Sequence, residues 1–321
     1  MTRESLPVRR HVRLNGHHGP PRRSGTRCTV PPTRVPARRS PCTRTEYAHR
    51  RSPAALSLLP SKKGPELLNS MDDDLARWVR RYHPAPDNAP RLVCFPYAGG
   101  SASFYLPMST AFSSSADVIA LQYPGRQDRR LEPCVTDIGE LADRITDRLL
   151  QLDEKPTVFF GHSMGAVLAF ETAWRLEQKG SGAAPRALIT SGRRAPSTHR
   201  AESVHRRDDD GIIAELKILD GTDQGVLGNE EILRMALPAI RGDYEAIEKY
   251  RCDGQRRVSC PITALTGDAD PRTTIDEATA WERHTDGSFR LEVLPGGHFF
   301  LTGQQAAVVS LISRELAQRR G

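Results

Sequence analysis

The chain has 321 residues, 38% of them hydrophobic, with a formal net charge of +7 and six cysteines. At roughly 150 residues per domain, this length allows one large α/β domain or two small ones. No run approaches the ~20 consecutive apolar residues that a membrane-spanning helix needs. Six irregularly spaced cysteines are too dilute for a secreted disulfide scaffold. We therefore expect a cytoplasmic protein without a membrane partner.

The first 70 residues differ in chemistry from the rest. They hold fifteen Lys and Arg against three Asp and Glu, a net charge of +12, whereas the remainder carries 31 basic and 36 acidic residues, a net charge of −5. With ten prolines and no hydrophobic periodicity, they cannot bury enough surface to offset chain entropy. We predict that residues 1–70 form a disordered Arg/Pro-rich extension. Our leading interpretation is a misplaced start, with Met71 as the true one; a basic arm that contacts a polyanion and a targeting peptide are the alternatives.

From Met71 onward, short apolar runs alternate with helical patterns. Six runs rich in β-branched and aromatic residues predict buried strands, over residues 91–95, 117–121, 157–160, 187–190, 262–265 and 291–294. Apolar spacing predicts helices over residues 138–152, 166–178 and 304–319. This alternation predicts an α/β fold, in which helices cover both faces of a mostly parallel sheet.

One long segment interrupts the alternation. Between Ser191 and Val258 no strand is evident, yet residues 212–219 and 230–250 have the spacing of amphipathic helices. An insertion of this length between two strands usually covers a functional site. We therefore predict a helical lid over about residues 196–256, within an α/β domain that spans residues 71–321.

A candidate nucleophile follows the third predicted strand. Residues 161–165 are Gly-His-Ser-Met-Gly, the pattern G-x-S-x-G, in which a strand turns sharply into a helix and presents a serine hydroxyl. Glycines flank the serine because the neighbouring backbone leaves no room for a Cβ atom. A plain small-residue turn is the alternative. Since a predicted strand precedes the motif and a predicted helix follows it, we predict that Ser163 is a catalytic nucleophile.

A serine nucleophile needs a base, and the base needs an orienting acid. In folds with this motif the acid and then the histidine follow the serine along the chain, each at the carboxyl end of a strand. Asp268 and Asp270 follow the fifth predicted strand, and His298 follows the sixth in a glycine-rich loop. We predict that His298 is the base. Asp270, farther from the strand end, is favoured as the acid, with Asp268 as the alternative.

Two backbone N–H groups are needed to stabilise the oxyanion of acyl transfer. One is expected from Met164, the residue after the nucleophile. The other is expected from Ala98, in the glycine-containing loop over residues 95–102, where the backbone can approach a substrate closely. A phosphate-binding loop is the alternative for this segment, but it lacks both the P-loop Gly-Lys-Ser/Thr and the dinucleotide glycine spacing.

Seven segments of residues 71–321 together resemble the stand-alone type II thioesterases of polyketide and nonribosomal peptide biosynthesis, within the α/β-hydrolase superfamily. In chain order they are FPYAGGSA (95–102), LQYPGR (121–126), GHSMGA (161–166), SGRRAP (191–196), LPAIRGD (237–243), GDADP (267–271) and GGHFF (296–300). The resemblance implies Asp270 as the triad acid and Ala98 as an oxyanion donor. It further implies an enzyme that hydrolyses acyl groups, including aberrant ones, from the phosphopantetheine thiol of a carrier protein.

The resemblance also sets expectations for partners. The substrate would arrive on an acyl or peptidyl carrier protein, and we expect no cofactor, no metal, no nucleic acid and a monomer. Carrier proteins are generally acidic, so Arg193, Arg194 and Arg126 are predicted to dock one at the rim of the active site. Ordinary solvated charge is the alternative for these arginines. The alternative functions are a small-molecule esterase or acyltransferase, or a chain-releasing thioesterase, of the same fold.

Overall fold

The computed structural model describes residues 73–220 and 230–318. The predicted extension over residues 1–70 lies outside these ranges and stays a prediction. Within them, no helix is both long enough and apolar enough to cross a membrane.

One seven-stranded sheet organises the described residues. Its strands are β1 (Val79–Arg80), β2 (Arg91–Phe95), β3 (Asp117–Leu121), β4 (Thr157–His162), β5 (Ala187–Ser191), β6 (Ile262–Gly267) and β7 (Phe289–Leu294). They lie in the order β1-β3-β2-β4-β5-β6-β7, and every neighbouring pair is parallel except β1 with β3. The predicted α/β fold is confirmed, and all six predicted strands are present.

The α-helices connect these strands. They are α1 (Leu106–Ala111), α2 (Ile138–Leu149), α3 (Met164–Gln178), α4 (Asp209–Asp220), α5 (Glu230–Lys249), α6 (Ile275–Thr279), α7 (Phe300–Gly303) and α8 (Gln305–Ala317), and residues 73–78 are helical as well. The helices predicted over residues 138–152, 166–178 and 304–319 correspond to α2, α3 and α8.

Two hydrophobic cores, one on each face of the sheet, hold the layers together. Successive strand residues point to opposite faces, so Val93 and Phe95 of β2 pack with α2 and α3, whereas Leu92 and Cys94 pack with α1 and α8. All four side chains are buried. Because both faces of β2 are covered, its residues 92–95 are continuously apolar rather than alternating.

The predicted lid segment, residues 196–256, contains α4 and α5 between β5 and β6. The two helices pack on each other through a third, smaller apolar cluster that includes Ile212, Leu237 and Ile240. Its partly buried members include Tyr244. This segment therefore has a core of its own, separate from the two cores of the sheet.

The turn from β4 into α3 packs against the end of β2 with no spare space. A Cβ atom added to Gly165 would lie 2.0 Å from the carbonyl oxygen of Phe95 and 2.6 Å from that of Pro96. A Cβ atom added to Gly161 would lie 2.2 Å from the carbonyl oxygen of Gly165. The glycines of the motif are therefore required by close backbone contact, and they bring the start of α3 against the loop that follows β2.

Gly165→Ala is expected to lower the free energy of unfolding by about 3 kcal/mol, because the contacting atoms are backbone and cannot move aside easily. The matched control is Gly303→Ala, where an added Cβ atom meets nothing within 4 Å. That change is expected to stay within about 0.5 kcal/mol of the wild type. Urea unfolding curves of the two variants test this difference, and equal midpoints would contradict it.

Candidate active site

Ser163 lies at the carboxyl end of β4, immediately before α3. Its backbone has φ 53° and ψ −118°, a conformation that residues other than glycine rarely adopt. The N–H of Ser163 donates to the carbonyl of Ser191 at 2.8 Å, and its own carbonyl accepts from the N–H of Ala166 at 3.0 Å. The strained turn is thus held from both sides, and it leaves the half-buried serine side chain at the edge of the sheet.

His298 and Asp270 meet at the same edge, in the loops that follow β7 and β6. Nδ1 of His298 is 3.0 Å and 3.1 Å from the two carboxylate oxygens of Asp270, and both side chains are buried. Asp270 also accepts from the backbone N–H of Arg272 at 2.8 Å. With Nδ1 donating to the carboxylate, Nε2 is left as the imidazole nitrogen that can accept a proton.

Asp268, the alternative acid, has a different partner. Its carboxylate accepts the N–H of Gly296 at 2.9 Å, which joins the loop after β6 to the loop after β7. A Cβ atom on Gly267 would lie 2.3 Å from the carbonyl oxygen of Gly296, so the end of β6 and the loop after β7 are in direct contact. Asp268 therefore holds the loops together, while Asp270 contacts the imidazole of His298, an arrangement that favours Asp270 as the acid.

His162, the residue before the serine, marks where the loops converge. Its ring is fully buried and its centroid lies 5.1 Å from the ring of His298, 5.3 Å from Phe299 and 6.1 Å from Tyr97. The loops after β2 and β7 therefore meet beside the residue that precedes Ser163. The structure thus brings His298 next to the turn that carries the serine.

The electrostatic environment of His162 keeps its ring neutral. Burial, together with the charge that His298 can carry, holds the pKa of His162 well below its usual value of 6.5. Nδ1 of His162 is 3.0 Å from the hydroxyl of Ser191, and within the described ranges Nε2 has no hydrogen-bond partner.

Because the pKa of His162 is lowered on folding, its contribution to stability is present above pH 6.5 and is lost as the pH falls below that value. Below pH 6.5, His162 binds a proton in the unfolded chain but not in the folded chain. In the wild type, His162 is expected to lower the unfolding free energy by up to about 1.4 kcal/mol for each pH unit below 6.5. The variant His162→Gln is expected to lack this part of the pH dependence. Urea unfolding at pH 5, 6 and 7 measures both slopes; identical slopes would show that His162 does not titrate in this way.

The two expected oxyanion donors lie on segments that contact each other. Met164 is the first residue of α3 and is fully buried, and the contact of Gly165 with Phe95 and Pro96 brings the loop that carries Ala98 beside it. Among the described residues, neither the N–H of Met164 nor that of Ala98 has a hydrogen-bond acceptor. An oxyanion donor needs an N–H group that is free to bind the substrate oxygen, and this supports the predicted pair.

The predicted docking arginines are not exposed. Arg126 is 6% exposed and binds Asp243 with both terminal nitrogens, at 2.7 and 2.8 Å. Arg194 is 4% exposed and pairs with Glu202. For Arg126 and Arg194 the prediction of a docking rim is therefore wrong, because each charge is buried and paired inside the chain.

Arg193 directly precedes the buried Arg194 and is itself partly buried. Burial and the positive charge of Arg194 lower the pKa of Arg193 to about 9. Its role in docking stays a prediction.

Sequence reasoning gave no role to Asp243, although the residue lies in one of the seven segments of the resemblance. Its carboxylate accepts the N–H of Gly99, next to the expected donor Ala98. The only signal was the position of Asp243 in that segment, because its partners are 117 and 144 residues away.

In the part of the chain that the structure describes, no group of three His, Cys, Asp or Glu side chains could hold a metal ion.

A family model described as the thioesterase domain matches residues 90–316. The chain belongs to the thioesterase family. A relative from Streptomyces griseus named "Probable cadicidin biosynthesis thioesterase" is 66% identical to this thioesterase over 249 residues, which are 78% of this chain and 68% of the relative. Thioesterase PikA5 from Streptomyces venezuelae is 46% identical over 77% of this chain and 88% of its own.

Solved structures agree with this assignment. The type II thioesterase BorB from the borrelidin biosynthetic cluster superposes with a TM-score of 0.72 and 50% identity, over 74% of this chain and 97% of BorB. The RedJ thioesterase from the prodiginine pathway of Streptomyces coelicolor gives a TM-score of 0.67 and 33% identity, over 74% of this chain and 94% of RedJ. The predictions of a type II thioesterase, of the α/β-hydrolase fold and of a thioester-hydrolysing enzyme are confirmed.

Proposed function

We propose that this thioesterase removes acyl groups, including aberrant ones, from the phosphopantetheine thiol of acyl or peptidyl carrier proteins in polyketide or nonribosomal peptide biosynthesis. The observation that carries the proposal is the imidazole of His298, held by Asp270 beside the turn that presents Ser163. The names of the relatives, which refer to cadicidin and borrelidin biosynthesis, support the assembly-line setting.

The first half of the reaction transfers the acyl group to the enzyme. The hydroxyl of Ser163 attacks the thioester carbonyl while Nε2 of His298 takes its proton. The N–H groups of Ala98 and Met164 stabilise the oxyanion of the tetrahedral intermediate. The C–S bond then breaks, the imidazolium returns its proton to the sulfur, and the carrier leaves with a free thiol.

The second half regenerates the serine. Water gives a proton to Nε2 of His298 and attacks the carbonyl of the acyl–Ser163 ester, and the same two N–H groups stabilise the new oxyanion. Collapse releases the free acid and returns the proton to Ser163. Throughout, Asp270 accepts the Nδ1–H of His298 and so keeps the imidazole in the tautomer that can act at Nε2. The groups of the chain and water suffice for every step, so we propose that no cofactor takes part.

Matched substrates test this proposal. One acyl group is presented on a carrier protein, on N-acetylcysteamine and on an oxygen ester, and release of the free acid is followed by mass spectrometry. We expect kcat/KM to be highest for the acyl carrier protein, because it adds protein contacts to the same thioester. Equal values for all three substrates would favour a small-molecule esterase, and transfer of the acyl group to an added acceptor instead of water would favour an acyltransferase.

A further inference from the structure

A buried ion pair connects the lid segment to the loop that carries Ala98. Arg126, which follows β3, binds the carboxylate of Asp243 in α5 through two charge-assisted hydrogen bonds of 2.7 and 2.8 Å. The exposed fraction is 6% for Arg126 and 1% for Asp243. This contact joins two of the segments that resemble type II thioesterases, residues 121–126 and 237–243. The proposed mechanism gives it no role.

Both members of the pair also hold the backbone of the turn after Ala98. The same oxygen of Asp243 that binds Arg126 accepts the N–H of Gly99 at 2.7 Å, and Arg126 donates to the carbonyl of Gly100 at 3.1 Å. Gly99 directly follows Ala98, so the two bonds restrict the peptide groups on the carboxyl side of the expected donor. Charge-assisted bonds of this kind are among the stronger ones in proteins.

Helix α5 also makes an apolar contact with the turn that follows Ala98. Gly99 has φ +78°, and a Cβ atom added to it would lie 2.5 Å from Cγ1 of Ile240. Ile240 and Asp243 are three residues apart on α5 and therefore share a face of the helix. A hydrogen bond from Gly100 to the carbonyl of Tyr97, at 2.8 Å, closes the turn. Helix α5 therefore contacts the turn over residues 97–100 through both a charged and an apolar side chain.

We propose that Asp243 is a positioning residue, which holds the turn over residues 97–100 so that the N–H of Ala98 points at the oxyanion. The inference rests on the proposed function, since it assumes that Ala98 is an oxyanion donor. Loss of one such donor lowers kcat by about 10²- to 10³-fold in hydrolases of this kind, and a misplaced donor is expected to cost less than a missing one. A purely structural pair would instead affect folding and leave the chemical step unchanged.

The decisive variant is Asp243→Asn, which keeps the shape of the side chain and an acceptor oxygen but removes the charge that orients Arg126. On a small acyl thioester, where carrier docking plays no part, we expect kcat to fall by about 10- to 100-fold and KM to change by less than about threefold. An alkyl trifluoromethyl ketone, which forms a hemiketal oxyanion on the serine, is expected to bind more weakly in the same proportion.

The matched control is Glu171→Gln, which disrupts a buried carboxylate far along α3. Glu171 is 1% exposed, accepts from Tyr250 at 2.6 Å and pairs with Arg256 and Arg175. Its hydrogen-bond and ion-pair partners do not include any residue of the turn over residues 97–100. We expect Glu171→Gln to lower the thermal midpoint and to leave kcat and the affinity for the ketone within about twofold of the wild type.

If Asp243→Asn does not fold, Arg126→Lys takes its place, because lysine keeps the buried positive charge but not the two-point geometry. The expected result is again a lower kcat, by about fivefold or more, with a nearly unchanged KM. A folded Asp243→Asn or Arg126→Lys enzyme with kcat and ketone affinity within twofold of the wild type would overturn the inference. If these variants are as active as the wild type while Ser163→Ala is inactive, the inference about Asp243 fails but the proposed function stands. An active Ser163→Ala would instead refute the proposed mechanism.

Discussion

Ser163→Ala is expected to lower kcat for thioester hydrolysis by about 10⁴- to 10⁶-fold, because the acyl–enzyme cannot form without the hydroxyl. The free energy of unfolding is expected to stay within about 1 kcal/mol of the wild type, since alanine meets the same backbone strain at φ 53°. Single-turnover deacylation of an acyl carrier protein, followed by mass spectrometry, measures the loss. The exposed Ser114, which follows α1, provides the control variant Ser114→Ala, and we expect wild-type turnover from it.

Detection of the acyl–Ser163 intermediate provides a second test of the prediction for Ser163→Ala. Wild-type enzyme quenched during turnover should carry the acyl group as a mass increment on the peptide that contains Ser163, and Ser163→Ala should carry none. Deacylation by Ser163→Ala at a rate within tenfold of the wild type would show that another group attacks the thioester.

Asp270→Asn is expected to lower kcat by about 10³- to 10⁴-fold. In the wild type both carboxylate oxygens face Nδ1 of His298, at 3.0 and 3.1 Å. An asparagine can present its NH₂ group there, which favours the tautomer protonated at Nε2, and that tautomer cannot accept the proton of Ser163. Steady-state kinetics on a small acyl thioester, with the fold checked by circular dichroism, measures the effect.

Asp268→Asn is the matched control for this prediction. The two aspartates are two residues apart, but Asp268 accepts the N–H of Gly296, a role that an asparagine oxygen can also fill. We expect kcat of Asp268→Asn to stay within about threefold of the wild type. If Asp268→Asn loses activity and Asp270→Asn keeps it, then Asp268 is the acid and Asp270 only supports the loop.

The strands were predictable because buried parallel strands are continuous apolar runs, which are a local property of the chain. The exception is the start of β7, which begins at Phe289 rather than Leu291. The residues of β7 are partly buried or exposed, and Arg290 interrupts the apolar pattern. The two-residue edge strand β1 and the helix α1, which has Pro107 in its first turn, are too short to produce any periodicity.

The candidate site was predictable for a related reason. Chain order and strand ends are local features, and parallel strands place their carboxyl ends at one edge of the sheet. The arginines were not predictable in this way, because their environment depends on partners that the fold brings from elsewhere. Arg126 is paired with an aspartate 117 residues away, and no pattern near Arg126 reveals that its charge is buried.

The contact between α5 and the turn over residues 97–100 couples the lid segment to the proposed oxyanion donor. Any displacement of α5 that breaks the bond from Gly99 to Asp243 would also free the peptide beside Ala98. A carrier protein or substrate that shifts α5 would therefore change the rate of the reaction without contacting Ser163, His298 or Asp270.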